Sequence, residues 1–205
     1  MSKNPVIVFE GIEASGKSYH IKNVSNYLKK IDRKFILIRE PGGNKNSEKI
    51  RNLILDKKST FNKNTDLLLY QSARSENIDF IRKNLGKKII LIDRFIDSTI
   101  AYQHYGMGVN IKFIKMINDF LLKNIKVTFT FLNLVSQKNM KLRLLKRKKV
   151  NRYDNFDKFF YKKVQDGFIK IQQKNPKKYM KINSDLDIIQ NKKLILNKIG
   201  DLVLW

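Results

Sequence analysis

The apolar run Val6-Ile7-Val8-Phe9 stops at Glu10 and is followed at once by Gly11-Ile12-Glu13-Ala14-Ser15-Gly16-Lys17-Ser18. That octet fits G-x-x-x-x-G-K-[ST], a loop that wraps phosphate groups, and it commits this end of the chain to a strand, a tight turn and a helix. Glycines let successive backbone N–H groups turn inward around anionic oxygens. Lys17 brings a mobile positive charge to the terminal phosphates, and the Ser18 hydroxyl can ligate Mg²⁺. A helix starting near Gly16 aims the positive end of its dipole at the same place. The plain alternative is a Gly-rich turn that matches by chance. A strand-like run before it and a helix-like run after it favour the phosphate loop.

A strand opening the chain needs partners, and the sequence supplies them. Strands are predicted at Pro5–Glu10, Phe35–Arg39, Lys88–Ile92, Val127–Leu132 and Tyr179–Ile182, all rich in Val, Ile, Phe and Leu. Helices are predicted from Lys17 to Ile31 and at Asn46–Leu55, Thr65–Asn84, Thr99–Tyr105, Ile111–Lys123, Ser136–Lys148, Phe156–Gln173 and Leu186–Leu204. Alternating buried strands and amphipathic helices predict an α/β fold, a five-stranded parallel sheet flanked by helices, in one domain over residues 1–205. Its site should open at the carboxyl ends of the strands.

Composition narrows the chemistry. The 205 residues include no cysteine and only two histidines, which excludes disulfides, thiol nucleophiles and a His-rich metal site. No leader and no membrane span are predicted, so a cytoplasmic protein without a membrane partner is expected. The net charge of +25 invites a nucleic-acid partner. Against that, Lys and Arg are spread along the chain among abundant Asn and Ile, as AT-rich coding would produce. One concentration stands out: Lys138, Lys141, Arg143, Lys146, Arg147, Lys148, Lys149 and Arg152 crowd a window in which no acidic residue occurs from Phe120 through Tyr153. Anions are expected there, and a mobile loop is predicted from Arg147 to Asn155, where Tyr153-Asp154-Asn155 breaks the periodicity.

Four further clusters fall at predicted strand ends or just beyond. Arg39-Glu40-Pro41-Gly42-Gly43 ends the second strand in a sharp turn. Asp93-Arg94 ends the third, pairing a carboxylate able to hold Mg²⁺ with a guanidinium fork for phosphate oxygens; a strand-end ion pair is the plain alternative. Tyr70 and Arg74 lie one helical turn apart, an aromatic plate beside a cation, or else core plus a snorkelling Arg. Thr99 and Gln103 share a helical face and can read a base edge, or belong to an ordinary helix capped by Asp97 or Ser98.

These pieces in this order resemble the thymidylate kinase family over essentially the whole chain. Phe9-Glu10-Gly11-Ile12-Glu13 leading into Gly16-Lys17-Ser18, the Arg39–Gly43 segment, and Asp93-Arg94-Phe95-Ile96-Asp97-Ser98-Thr99-Ile100-Ala101-Tyr102-Gln103 carry the resemblance. It implies a P-loop nucleoside monophosphate kinase-like fold with a short lid over about 143–155, and transfer of the γ-phosphoryl of ATP to dTMP with Mg²⁺. Residues 11–18 (Gly11, Ile12, Glu13, Ala14, Ser15, Gly16, Lys17, Ser18) would bind ATP. Ser18, Asp93 and Glu13 would lie at the metal. Tyr70 would stack on thymine, Arg74 and Gln103 would hydrogen-bond it with Ser98 and Thr99 nearby, and Arg51 and Arg94 would hold the acceptor phosphate beside Glu40 and Pro41. Lys17, Arg94 and the lid residues Arg152, Lys148 and Arg147 would be catalytic, and Asn151-Arg152-Tyr153-Asp154 looks like the lid signature. A homodimer is implied, through helices such as Ile111–Leu122. No nucleic-acid partner is expected. Departures are Ala14 at a common glycine, Tyr19-His20 after the loop, and His104, Tyr105 and Met107 in a segment that is often Gly-rich. A kinase for another nucleotide or for a deoxynucleoside, and a basic phosphate-loop protein that binds nucleic acid, remain the alternatives.

Overall fold

The computed structural model describes residues 4–147 and 151–204, so Lys148 of the expected lid lies outside the described residues. Strand β1 (Val6–Glu10) is the middle strand of a five-stranded parallel sheet, flanked by β3 (Ile89–Asp93) and β4 (Phe129–Leu134), with β2 (Phe35–Arg39) and β5 (Tyr179–Asn183) at the edges. The three inner strands are buried on both faces, which explains their unbroken apolar runs; β2 and β5 are only half-buried, and Leu37 on β2 is exposed.

The period-2 alternation of β1 divides the core. Ile7 and Phe9 face α1 (Lys17–Lys30) and α8 (Ile188–Val203), meeting Val24, Leu28, Ile195 and Ile199. Val6 and Val8 face the other way, toward Ile78 and Ile81 of α3 (Lys63–Asn84) and Leu122 of α5 (Ile111–Leu122). Helix α2 (Lys45–Leu55) lies against α3. Beyond the carboxyl ends of the strands a third cluster joins Ile12, Tyr102, Leu132, Tyr153 and Tyr161 to α6 (Gln137–Leu145) and α7 (Lys158–Lys174). That cluster floors the site.

The expected elements all form, with shifted ends. Helices α2 and α3 start earlier than predicted because Asn44 and Asn62 cap them, each accepting from backbone N–H groups of the first turn. The fourth strand starts two residues late and runs on to Leu134, where it still pairs with β5. Helix α6 ends at Leu145, short of the predicted end. The predicted helix Thr99–Tyr105 splits into a short α4 (Ile96–Thr99) and a π-helical segment, Ile100–Gly106. Neither Asp97 nor Ser98 caps it; Asp97 lies inside α4 with its carboxylate accepting from the Tyr179 hydroxyl at 2.8 Å.

His104, Tyr105 and Met107 acquire structural roles here. His104 Nδ1 lies 2.8 Å from the Val109 carbonyl, Met107 packs against the third cluster, and the Tyr105 ring lies on Gly167 of α7. A Cβ at Gly167 would stand 2.6 Å from that ring. Gly167→Ala is therefore expected to destabilise the fold by about 1–3 kcal/mol, as overpacking does. A lowered urea midpoint at constant m would show it; an unmoved midpoint would mean that Tyr105 gives way freely.

Candidate active site

The turn after β1 is shaped by its backbone before any side chain matters. Gly16 has φ 87° and the space a Cβ would take is empty, so it is the left-handed backbone and not crowding that favours glycine here. Ala14 takes the left-handed region as well, at φ 54°. The departure from glycine thus stresses the backbone rather than the space, by roughly 1 kcal/mol. The Lys17 ammonium is buried and donates to the carbonyls of Gly11 and Ile12, both at 2.9 Å, and to Ser15 Oγ at 3.3 Å. Burial, then the positive charge of Arg94, brings its pKa down to about 8.

Arg94 is the junction of the site. It follows β3 directly and sits at φ 65°, a conformation a non-glycine side chain adopts only when its surroundings hold it there. Its amide donates to the Phe9 carbonyl at 3.0 Å. Its guanidinium donates to the Gly11 carbonyl at 2.7 Å and to Glu13 Oε1 at 3.0 Å, and lies 5.3 Å from the Tyr102 ring centre. The Tyr102 hydroxyl donates to the other oxygen of Glu13. Both Glu13 oxygens are therefore engaged. Asp93 differs: its Oδ1 is buried without a protein partner.

These groups open on one cleft of about 520 Å³. Its first wall is the loop from Glu13 to Ser18, followed by Tyr19. Glu40, Pro41 and Arg51 form another part, where Arg51 donates to the Pro41 carbonyl at 2.7 Å across a cis Glu40–Pro41 peptide. Tyr70 and Arg74 come from α3, and Asp93, Arg94, Ser98, Thr99, Tyr102 and Gln103 complete the wall. Gly11 and Ile12 lie behind it, contributing carbonyls to Lys17. His20 faces the core, where burial holds its pKa down to about 4.

Arg74 is 2 % exposed and has a partner for every N–H. It donates to Glu40 Oε2 at 2.7 Å, Gln71 and Asn118 at 3.3 and 2.9 Å, the Phe95 carbonyl at 2.9 Å and Thr99 Oγ1 at 3.0 Å. Losing one partner of the buried Arg74–Glu40 pair would cost about 3–5 kcal/mol.

The lid divides into two parts. Arg143, Leu144, Arg147, Asn151 and Tyr153 face the cleft, and Arg143 donates to the Ala14 and Ser184 carbonyls at 3.1 and 2.6 Å. Arg152 does not line the cleft; it is ion-paired with buried Asp66 of α3 and stacked on Phe61 and Tyr153. Residues 151–155 are a capped 3₁₀ turn with Tyr153 buried, where the sequence predicted a mobile loop, because Asn151 and Asp154 satisfy each other's backbone N–H groups.

Asp66, Tyr102 and Glu10 are site residues that sequence reasoning did not single out. Asp66 had a signal: it stands one helical turn before Tyr70, extending the Tyr70–Arg74 stripe. Glu10 had none. Its carboxylate accepts from the amides of Phe95 (2.8 Å) and Ser98 (3.2 Å) and from Ser98 Oγ (2.5 Å), thereby holding the segment after Arg94.

Burial, reinforced by the nearby Asp97 carboxylate, pushes Glu10 up to about 7; burial raises Asp97 to about 6. Ser98, the Phe95 amide and Arg94 face Glu10, and Tyr179 and Arg74 face Asp97. A carboxyl whose folded pKa exceeds its unfolded one stabilises at low pH and loses that contribution as pH rises through the folded value. Thermal stability should therefore decline from about pH 5 to pH 8, with a shallower decline in Glu10→Gln. Parallel profiles for the two proteins would refute the linkage.

The sequence profile of the family described as Thymidylate kinase matches residues 9–195. The chain is 37 % identical over 196 residues to the thymidylate kinase of Sulfurihydrogenibium sp. (strain YO3AOP1), covering 94 % of this chain and 95 % of that one. It is 37 % identical over 171 residues to that of Mycoplasma mobile, covering 80 % and 82 %. The crystal structure of thymidylate kinase from Ehrlichia chaffeensis superposes with a TM-score of 0.77 at 32 % identity, over 96 % of this chain and 98 % of that one. With a phosphate loop, an arginine-lined cleft and a basic lid already in place on a parallel sheet, these likenesses show that the chain belongs to the thymidylate kinase family.

Proposed function

We propose that the chain transfers the γ-phosphoryl of ATP to dTMP, giving dTDP, in the cleft that Arg94 bridges. The observation that carries this reading is that one guanidinium touches both the phosphate loop, at Gly11 and Glu13, and the facing wall, at the Ser98 and Tyr102 hydroxyls, both at 3.4 Å. Phosphoryl transfer asks mainly for positioning and for stabilisation of charge on the equatorial oxygens. Two anions must also be brought together against their repulsion. Lys17, released from the loop carbonyls onto the donor's phosphates, supplies one counter-charge. Arg51 and Arg94 hold the acceptor phosphate, and Arg143 and Arg147 bring lid charge to the donor side. An ionised acceptor phosphate needs no general base.

Ser18 and Asp93 would hold Mg²⁺; Asp93 Oδ1 is a buried oxygen without a partner. Among the described residues no cluster of three His, Cys, Asp or Glu could cage a metal. Bound there, the ion neutralises phosphate charge. Glu13 would be a further oxygen donor there; both of its oxygens are engaged by Arg94 and Tyr102 in this structure.

On the acceptor side Tyr70 offers its ring to the base, with Ser98, Thr99 and Gln103 along the base edge. Arg74 acts there by sharing a donor that already serves Thr99. The loop at 11–18 and the lid at about 143–155 belong to one domain of 205 residues. Among the described residues no helix is long and apolar enough to cross a membrane. Substrates of the cell interior support a cytoplasmic location. Phe113, Met116 and Phe120 form an exposed stripe on α5, which supports a homodimer through that helix.

A panel of monophosphates with ATP and Mg²⁺ tests the reading: dTMP is expected to outperform dUMP, dCMP and AMP, and the opposite order would reject thymine as the base. Lys17→Ala and Arg94→Ala should each lower turnover by ~10³-fold or more while circular dichroism stays unchanged. Near-normal rates in both would remove them from the site. Chelation of divalent cations should abolish turnover and excess Mg²⁺ restore it. Phe120→Lys should convert a dimer to monomer in light scattering, whereas an unchanged mass would move the interface elsewhere.

A further inference from the structure

We propose that Asp66 is the positioning residue that decides which polar edge Gln103 shows to the acceptor's base, using the same carboxylate that holds the lid turn. This rests on the reading above that Gln103 meets the base. Asp66 is 1 % exposed and lies on α3 beneath the cleft. Its Oδ2 accepts from Gln103 Nε2 at 3.1 Å and from the Tyr153 hydroxyl at 2.6 Å, and its Oδ1 accepts from Arg152.

An ionised carboxylate, here paired with a guanidinium, accepts hydrogen bonds and donates none. It therefore settles an orientation that shape alone leaves open, since the oxygen and nitrogen of a carboxamide are nearly the same size. The NH₂ of Gln103 must face Asp66, and its oxygen must face away, toward the cleft that Gln103 lines. An oxygen in that position selects a ring N–H. Thymine and uracil carry hydrogen on N3, whereas cytosine presents a lone pair there and would meet the oxygen with repulsion. Discrimination of this kind is strong because the wrong base leaves polar groups unpaired.

The same carboxylate fixes the rim. Tyr153 stands edge-on to Tyr70 at 6.1 Å and to Tyr102 at 5.8 Å. Arg152 lies 5.2 Å from the Tyr153 ring centre and 5.6 Å from that of Phe61. Gln103 and the lid turn thus share one anchor, and neither can be released from it without disturbing the other.

The test is the ratio of kcat/KM for dTMP to that for dCMP, measured on the full chain with ATP and Mg²⁺. In Asp66→Asn the new amide can donate or accept, so Gln103 is free to turn. The ratio should fall by at least about tenfold, while any effect of loosening the lid turn falls on both acceptors alike and cancels in the ratio. Should that variant not fold, Asp66→Asn combined with Arg152→Gln removes both charges of the buried pair and is read in the same way. Gln103→Met separates the two layers of the argument. If it collapses the ratio and Asp66→Asn does not, the base reading stands and the proposal falls. If Gln103→Met leaves the ratio intact, the base reading fails and takes the proposal with it. An equal loss toward both acceptors in Asp66→Asn, or failure of both Asp66 variants to fold, would assign Asp66 to stability alone and overturn the proposal.

Discussion

The contact between the Arg94 guanidinium and the carbonyl of Gly11 joins the phosphate loop to the wall that faces it, beside the bonds of Arg94 and Tyr102 to Glu13. On one side is the loop from Glu13 to Ser18; on the other is a wall of side chains from β3, α3 and the π-helical segment. Arg94 reaches both because β1 and β3 are neighbours in parallel register, Phe9 opposite Asp93. The next residue along β3 therefore emerges level with the start of the loop. The backbone at φ 65° is the cost of aiming the side chain back across β1. Its amide bond to Phe9 and the hold of Glu10 on Phe95 and Ser98 offset that cost. Strain is placed where two substrates must be aligned.

Buried charge follows from the same demand. A cleft that binds two anions needs cations held still, and fixed cations need acids behind them. Of the cleft's cations, Arg74 has Glu40 and Arg94 has Glu13, and outside the cleft the lid turn repeats the device with Arg152 on Asp66. Such pairs add little to stability compared with apolar packing, and breaking one is expensive. Their use here is orientation. Glu40 keeps Arg74 in the plane that also serves Thr99 and the Phe95 carbonyl, so the short helix α4 is docked through its backbone as well as its side chains.

The sheet was legible in the sequence because its inner strands are buried on both faces, and unbroken runs such as Ile89-Ile90-Leu91-Ile92 admit little else. The phosphate loop was legible because backbone geometry and a fixed lysine leave few substitutes. What escaped were contacts between residues far apart in the chain. No local pattern brings Asp66 to Arg152, or Glu10 to Ser98, since each pair is joined only when α3 or β3 packs against another element. The π-helical turn escaped for a related reason: its hydrogen bonds, such as Met107 N–H to the Tyr102 carbonyl at 2.9 Å, leave the amphipathic pattern of an α-helix almost unaltered. Arg152 shows the limit most clearly. As one cation in a basic window it read as a catalytic lid residue, whereas it is paired with Asp66 on α3 and stands outside the lining of the cleft.

That example bears on the net charge of +25. A total of this size says nothing about where a field is focused, because screened surface lysines add little at distances beyond about 8 Å at physiological ionic strength. The cations that define the cleft are few, and Lys17, Arg74 and Arg94 among them are largely withdrawn from water. In a low-dielectric setting each acts over a short range with large effect, and its position is fixed by a named acceptor. The charge of the cleft is thus set by a few placed groups and the carboxylates that place them. Were the surface lysines replaced by neutral residues, the bonds that fix Arg94 to Gly11 and Glu13 would be untouched.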